Sequence, residues 1–161
     1  MWVRFHSDES IEYSGFQIFY KFLINRDTRR LAVDECWNIM QGQIEGDIDS
    51  SAVGNKQRQF AMNHSLPHEC AWDIRVLRGY RVNLHLTDIE METDSCERNM
   101  IQIYDGITSN VGLRKQQCSG GAGVVIQSNT NRLFIRFYLH PAASNSSFRA
   151  SFAMFRTAPA N

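Results

Sequence analysis

Apolar and polar residues alternate along most of the chain from residue 72 onward, and this pattern constrains the fold more than any other. In residues 80–87, for example, every second side chain is apolar and the side chains between them are polar or charged. A period of two places one set on a buried face and the other in solvent, as in a β-strand. The same alternation recurs in residues 72–76, 101–103, 133–139 and 148–154.

Turn-forming residues separate these predicted strands. They are Arg78-Gly79, Asp105-Gly106, residues 119–123 and residues 128–131. Several short strands divided by such turns predict an all-β chain folded as an antiparallel β-sandwich. No segment shows the capped periodicity of a helix of any length. We therefore expect the polar residues 52–68 to form a long loop that contains at most one short strand.

The size and charge of the chain limit the classes of partner. Its 161 residues suffice for one domain with a sizeable core and a short additional segment. The 17 basic and 17 acidic side chains cancel, and neither sign forms a long block, which argues against nucleic acid and anionic lipid. No apolar run is long enough to insert into a membrane, and the amino terminus lacks a signal sequence. We expect any export signal to lie outside this chain.

The cysteines and two sequons favour an extracellular, oxidising setting. Cys36, Cys70, Cys96 and Cys118 are far apart, and none forms the Cys-x-x-Cys pair of zinc ribbons, so disulfides are favoured over free thiols. Four cysteines allow three pairings; pairing between sequence neighbours needs the least crossing, but composition does not choose. N-glycosylation sequons begin at Asn63 and Asn145, both in predicted polar loops.

The opening of the chain repeats its end. Residues 3–20, VRFHSDESIEYSGFQIFY, match residues 135–152 without a gap, each copy being a strand that ends in Arg-Phe, a polar segment, and a strand that begins with Phe. Any two hairpins of a sandwich can look alike, but the ungapped match favours a repeated unit. We expect residues 1–24 to be the C-terminal hairpin of a truncated upstream unit, residues 25–35 a linker, residues 36–156 a complete unit and residues 157–161 a tail.

An ordered set of motifs carries a family resemblance. In order, the motifs are Cys36, GDIDS at 46–50, CAWDI at 70–74, DIE at 88–90 shortly before Cys96, IYDG at 103–106, Cys118, and a closing hairpin from Phe137 to Phe148. This order resembles a CUB domain over residues 36–156, and residues 1–24 resemble the end of another one. Trp37 and Ser51 depart from the pattern, in which glycine and proline are usual at these positions.

The resemblance implies a fold and a general role. It implies a two-sheet antiparallel jelly-roll-like β-sandwich, disulfides Cys36–Cys70 and Cys96–Cys118, and an extracellular binding role without catalysis. The partner is then an extracellular protein ligand or a neighbouring domain. The chain would be a fragment of a larger multi-CUB receptor, adhesion or matrix protein. The alternative is a substrate-recognition or regulatory segment of a secreted tolloid-like metalloprotease, which an adjoining His-Glu-x-x-His segment would support.

Many CUB domains are similar in holding one Ca²⁺ through three carboxylates, and those positions can be located in this chain. The first falls on Glu90, which matches. The second falls on Asn99, which loses the charge, and the third on His140, which offers nitrogen where calcium prefers oxygen. Asp8 occupies the third position in the upstream hairpin as an orphan ligand. We therefore expect a degraded calcium site and no cofactor in the complete unit.

Other arrangements are less specific. His64, His68 and Cys70 lie close in sequence, but Pro67 prevents a helix that would align the histidines, and Cys70 is needed for a disulfide. No Gly-x-Ser-x-Gly nucleophile motif occurs, and the glycines of residues 120–123 lack the Gly-Lys-Ser/Thr end of a phosphate loop. We expect no enzymatic activity.

Aromatic residues define a candidate binding surface. By the alternation, Tyr104, Phe134, Tyr138 and Phe155 point away from the core, with Arg136 near them. Tyrosine and arginine are enriched at binding hot spots, so Tyr104, Phe134, Arg136 and Tyr138 are expected to be exposed partner contacts. The alternative is that a neighbouring domain covers this sheet.

Overall fold

The computed structural model describes residues 36–106 and 112–156. The predicted upstream hairpin, linker and tail, including Asp8, lie outside the described residues. Within the described ranges there are nine strands and one α-helix, and the nine strands form two facing sheets. The strands are β1 Trp37–Gln41, β2 Glu45–Asp49, β3 His68–Arg75, β4 Arg81–Glu90, β5 Asn99–Asp105, β6 Leu113–Gln117, β7 Val124–Gln127, β8 Arg132–Leu139 and β9 Ser147–Phe155. The helix α1 spans Asn55–Asn63, and a short 3-10 helix spans Pro141–Ala143.

The two sheets confirm the predicted sandwich. Sheet A has the strand order β1-β3-β8-β5-β6, and sheet B has the order β2-β9-β4-β7. Neighbouring strands are antiparallel except β1, which pairs in parallel with β3 at the edge of sheet A. The disulfide Cys36–Cys70 lies directly before the first pair of this parallel register, Trp37 with Ala71, and so fixes where β1 joins the sheet.

The core follows the alternation of the sequence. In β4, Val82, Leu84 and Leu86 are fully buried, and the residues between them face outward. The core also has an aromatic centre, in which the ring of Phe148 lies 5.2 Å from the rings of both Trp72 and Phe137 in edge-to-face contacts. Such contacts add to the stabilisation that comes from burial alone.

The helix α1 corrects the expectation of a loop at residues 52–68. Its sequence, NKQRQFAMN, is rich in good helix formers, but only Ala61 is buried, so no apolar stripe marks it as a helix. The helix begins after Gly54, which has a left-handed φ of 67°. A Cβ at this position would meet the Sγ of Cys36 at 2.5 Å, so glycine is required beside the disulfide.

One arginine attaches α1 to the sandwich. The guanidinium of Arg58 donates to the carbonyl of Ser144, at 2.9 Å from its Nε, and also to the carbonyl of Ser146. Burial lowers the pKa of Arg58. These contacts stabilise a short helix whose own periodicity is weak. Within residues 36–106 and 112–156, no helix has the length and apolarity needed to cross a membrane.

Candidate functional site

The three positions implied as calcium ligands converge at one end of the sandwich. Glu90 is the last residue of β4, Asn99 is the first residue of β5, and His140 directly follows β8. The backbone N–H of His140 donates to the carbonyl of Arg98 at 2.6 Å, which brings the second and third positions side by side. The fold therefore assembles the corner, and the side chains determine its chemistry.

Asn99 is fully buried, and the polar atoms of its side chain are used internally. The amide nitrogen donates to the carbonyl oxygens of Thr93 and Cys118, each at 2.9 Å. The amide oxygen accepts a hydrogen bond from the hydroxyl of Ser146 at 3.3 Å. The same hydroxyl, also buried, accepts from the backbone N–H of Glu92 at 3.0 Å. An ionised carboxylate has no hydrogen to donate, so it could not make these two bonds. The side chain of Asn99 therefore joins the segments of this corner through an uncharged hydrogen-bond network.

Glu90 and His140 are turned to other contacts. The carboxylate of Glu90 is exposed and lies 3.4 Å from the hydroxyl of Ser147. The Nδ1 of His140 accepts from the N–H of Ala142 at 3.2 Å and thereby caps the short 3-10 helix. The Glu90 carboxylate thus contacts the start of β9, and the His140 imidazole stabilises the loop that connects β8 to β9.

This donor set does not fit Ca²⁺, which prefers about six to eight oxygen ligands, several of them anionic. The corner offers the one carboxylate of Glu90, an amide oxygen already bonded to Ser146, and an imidazole nitrogen. The carboxylate of Glu92, the nearest acidic alternative, accepts from the backbone and side-chain nitrogens of Asn145 at 3.1 and 3.4 Å. The part of this corner that the structure describes therefore provides no cage of anionic oxygens.

The outer face of sheet A carries the predicted aromatic residues, but two of them are buried. Phe134 is 1% exposed and Tyr104 is 6% exposed, and together with Ala71 they form a small apolar cluster separate from the core. Trp37 packs on this cluster, with its ring centre 5.3 Å from that of Phe134. The expectation that Phe134 and Tyr104 are exposed contacts is therefore corrected, because neighbouring strands cover them. The same packing gives Trp37, unusual for the family, a structural role.

Arg136 and Tyr138 remain accessible on this face, each half-buried. Arg136 donates to both carboxylate oxygens of Glu69, at 2.9 and 2.8 Å, and to the side-chain oxygen of Gln102 at 3.3 Å. The hydrogen bonds to Glu69 raise the pKa of the Arg136 guanidinium. The cation is therefore held in one orientation opposite Ala71 of the buried cluster, on the face of β8 that also carries Tyr138 two residues further along.

The disulfides are those that the resemblance implies, Cys36–Cys70 and Cys96–Cys118. His68 lies beside the first of them, with its Nε2 3.2 Å from the Sγ of Cys70. Cys36, His68 and Cys70 form a group of potential metal ligands, but both sulfurs are in the disulfide and are not thiolates. Burial lowers the pKa of His68, and the charge of Arg58 lowers it further.

The two sequon asparagines are both exposed. Asn63 is the last residue of α1, not part of a loop as expected, and Asn145 lies in the turn before β9. Exposure at an element end or turn is what a glycan requires.

Sequence reasoning missed Arg58 and Ser146, which stabilise the loop between β8 and β9. Ser146 is the middle residue of a sequon, and nothing in that motif signals a buried hydroxyl. Arg58 lies in a polar stretch with no apolar pattern. Both roles arise from contacts between distant segments, so only the assembled fold identifies them.

Comparison with known proteins identifies the family. The family model of the CUB domain matches residues 45–152 of this chain. Human neuropilin and tolloid-like protein 2 is 28% identical over 165 residues, covering 99% of this chain and 30% of that protein. Mouse tolloid-like protein 1 is 26% identical over 153 residues, covering 94% of this chain and 13% of that protein. The chain thus spans less than a third of the length of these relatives.

The fold has a solved counterpart. The CUB1-EGF-CUB2 domain of human MASP-1/3 is similar with a TM-score of 0.56 and 23% sequence identity, over 75% of this chain and 43% of that one. At this level of identity the likeness establishes the shared sandwich, and the properties of the site come from the residues of this chain.

Proposed function

Because the chain belongs to the CUB domain family, we propose that it is a non-catalytic protein–protein interaction module of a larger extracellular receptor, adhesion or matrix protein. The family match, over residues 45–152, covers every strand of the two sheets except β1 and the last three residues of β9. The relatives are much longer than this chain, which supports a module within a larger protein.

The cysteines and sequons support an extracellular location. All four cysteines of the chain are paired in two disulfides, a state that persists in oxidising compartments. The exposed Asn63 and Asn145 are accessible to the glycosylation that occurs on secreted chains.

We assign partner binding to the outer face of sheet A, and the observation that carries this assignment is the cation of Arg136, which Glu69 fixes on the same face of β8 as Tyr138. Arg136 is held by two hydrogen bonds to Glu69, so it loses little freedom when a partner binds. Tyr138 adds an amphipathic ring, and the buried cluster of Phe134 and Tyr104 makes the base rigid. The calcium corner is the weaker candidate, since its ligand set is incomplete.

Binding can be tested with the whole chain on a sensor surface, against a panel of purified receptor ectodomains and matrix proteins. For any partner found, Tyr138→Ala should weaken binding about tenfold or more, as expected of a hot-spot aromatic. Val125→Ala is the matched control, because it truncates an apolar side chain that is 55% exposed on sheet B.

Two results would contradict the proposal. Loss of binding in Val125→Ala with full binding in Tyr138→Ala would place the interaction on sheet B. Turnover of peptide or ester substrates by the purified chain would refute a non-catalytic role.

The second candidate is a substrate-recognition or regulatory segment of a tolloid-like metalloprotease. The similarity to mouse tolloid-like protein 1 over 94% of this chain favours it. The full coding sequence decides between the two, because the second candidate requires a His-Glu-x-x-His segment in the parent protein. The same surface of sheet A would then contact the substrate.

A further inference from the structure

Three arginines that are far apart in the sequence converge at one corner of the sandwich, at the end opposite Glu90 and His140. Arg78 lies in the turn between β3 and β4, Arg81 is the first residue of β4, and Arg156 directly follows β9. The pairing of Arg81 with Phe155 brings the start of β4 to the end of β9. The guanidinium carbon of Arg156 lies 5.0 Å from the centre of the ring of Tyr80, a residue between Arg78 and Arg81 in the sequence.

The nearby carboxylates are bound to other groups. Asp73 pairs with Arg75 and with Arg132, the latter at 2.9 Å. Asp105 accepts from the backbone N–H groups of Asn129 and Thr130, at 2.6 and 3.2 Å. Among the described residues, no carboxylate forms an ion pair with any of the three arginines that converge at this corner.

A recess opens at the same corner. It has a volume of about 370 Å³ and is lined by Arg78, Gly79, Tyr80, Arg81 and residues 129–131. Among the residues that the structure describes, the lining therefore consists of guanidinium groups, amide and hydroxyl groups and one aromatic ring, with no aliphatic side chain. Gly79 adopts a left-handed φ of 84° and leaves the rim of the recess free of a side chain.

Although the net charge of the chain is zero, basic and acidic side chains lie at opposite ends of the molecule. The opposite end carries four exposed carboxylates, of Glu90, Glu92, Asp94 and Glu97, against the exposed cation of Arg98, so acidic charge is in excess there. An anionic ligand is therefore attracted to the arginine corner and repelled from the other end. Charge counting along the sequence could not reveal this, since neither sign forms a block.

We propose that the arginine corner, defined by Arg78, Tyr80, Arg81 and Arg156, binds a sulfated polysaccharide. Guanidinium groups donate paired hydrogen bonds to sulfate oxygens, and several sulfates along one chain can engage several arginines together. An acidic peptide is the alternative occupant, but the described lining of the recess offers no aliphatic pocket in which an apolar side chain of a peptide could be anchored. The Tyr80 ring, the one aromatic group among the described lining residues, already has Arg156 over it.

The test is calorimetric titration of the whole chain with a heparin-derived oligosaccharide at low and at physiological salt. We expect binding that weakens as salt rises, and a loss of about tenfold or more in the double variant Arg78→Gln/Arg156→Gln. Both side chains are exposed, so the fold should survive, and an unchanged melting temperature verifies this. Arg149→Gln is the control, since it removes an equivalent exposed charge near the other end of β9 and should retain full affinity.

Three results would overturn the proposal. They are unchanged affinity in the double variant, an equal loss in Arg149→Gln, and equal affinity for a desulfated oligosaccharide or for a glutamate oligopeptide of matched charge. The experiment is independent of the surface proposed for protein binding, because Tyr138→Ala should bind the oligosaccharide like the unaltered chain.

Discussion

The side-chain oxygen of Asn99 accepts a hydrogen bond from the hydroxyl of Ser146 at 3.3 Å, and both residues are buried at the corner where the family resemblance implies calcium. The bond links the start of β5 to the loop before β9. With the two donations from the Asn99 amide, it gives the corner a full set of internal partners. Hydrogen bonds of an amide thus link segments that a cation would link in a calcium-binding corner.

Loss of this amide should be costly. In Asn99→Ala, the carbonyls of Thr93 and Cys118 and the hydroxyl of Ser146 lose a buried partner, so we expect the free energy of unfolding to fall by about 3 kcal/mol. Urea denaturation measures this. The control Asn55→Ala removes an exposed asparagine at the first residue of α1 and should cost less than about 1 kcal/mol. Equal effects of the two changes would show that the Asn99 network contributes little.

A calcium site should be recoverable at this corner. The unaltered chain should show no calcium-dependent rise in melting temperature, because its donor set has one carboxylate. The double variant Asn99→Asp/His140→Asp supplies three carboxylates with Glu90, and should be destabilised alone but stabilised by Ca²⁺. Calorimetry with Ca²⁺ and with Mg²⁺ measures the gain and its selectivity. Micromolar calcium binding by the unaltered chain would contradict our interpretation of Asn99.

Much of the fold could be predicted because its signals are local. The alternation that buries Val82, Leu84 and Leu86 can be recognised from the consecutive residues of β4 alone. The family resemblance added the disulfide pairing, which the spacing of the cysteines had left open. The three positions that the resemblance implies as calcium ligands lie at one corner, although nothing in the sequence showed that Asn99 uses its amide for internal bonds.

The missed features depend on contacts between distant segments. The helix α1 has no apolar stripe and is attached through Arg58 to carbonyls 86 and 88 residues away. The arginine corner requires the register that places Arg81 opposite Phe155. Phe134 was expected to be exposed because alternation assigns a face and does not reveal what covers it, which here is Trp37.

Gly54 should tolerate a side chain less well than Gly79 does. Both have left-handed φ angles, 67° and 84°, so alanine at either position strains the backbone by about 1 kcal/mol. An added Cβ meets the Sγ of Cys36 at 2.5 Å at Gly54, and nothing within 4 Å at Gly79. We expect Gly54→Ala to cost about 1–3 kcal/mol more than Gly79→Ala.

Because both variants strain the backbone, the difference between Gly54→Ala and Gly79→Ala measures the cost of the contact with the disulfide. The measurement is the urea midpoint of each variant without reductant. Equal midpoints would show that α1 shifts away from Cys36 without cost, and that the close packing of Gly54 is not needed.

The stability of the domain should fall as pH is lowered, because of His68. Burial holds the folded-state pKa of His68 below the ordinary value of 6.5, with a further lowering by Arg58. Between the two pKa values the unfolded chain binds more protons than the folded one, so acid favours unfolding. The contribution of His68 to stability is therefore complete above pH 6.5, is lost as pH falls through that value, and changes no further below the folded-state pKa. Urea midpoints from about pH 8 to about pH 5 should show this slope, and His68→Gln should reduce it, since glutamine does not titrate. An identical slope in His68→Gln would assign the pH dependence to other groups.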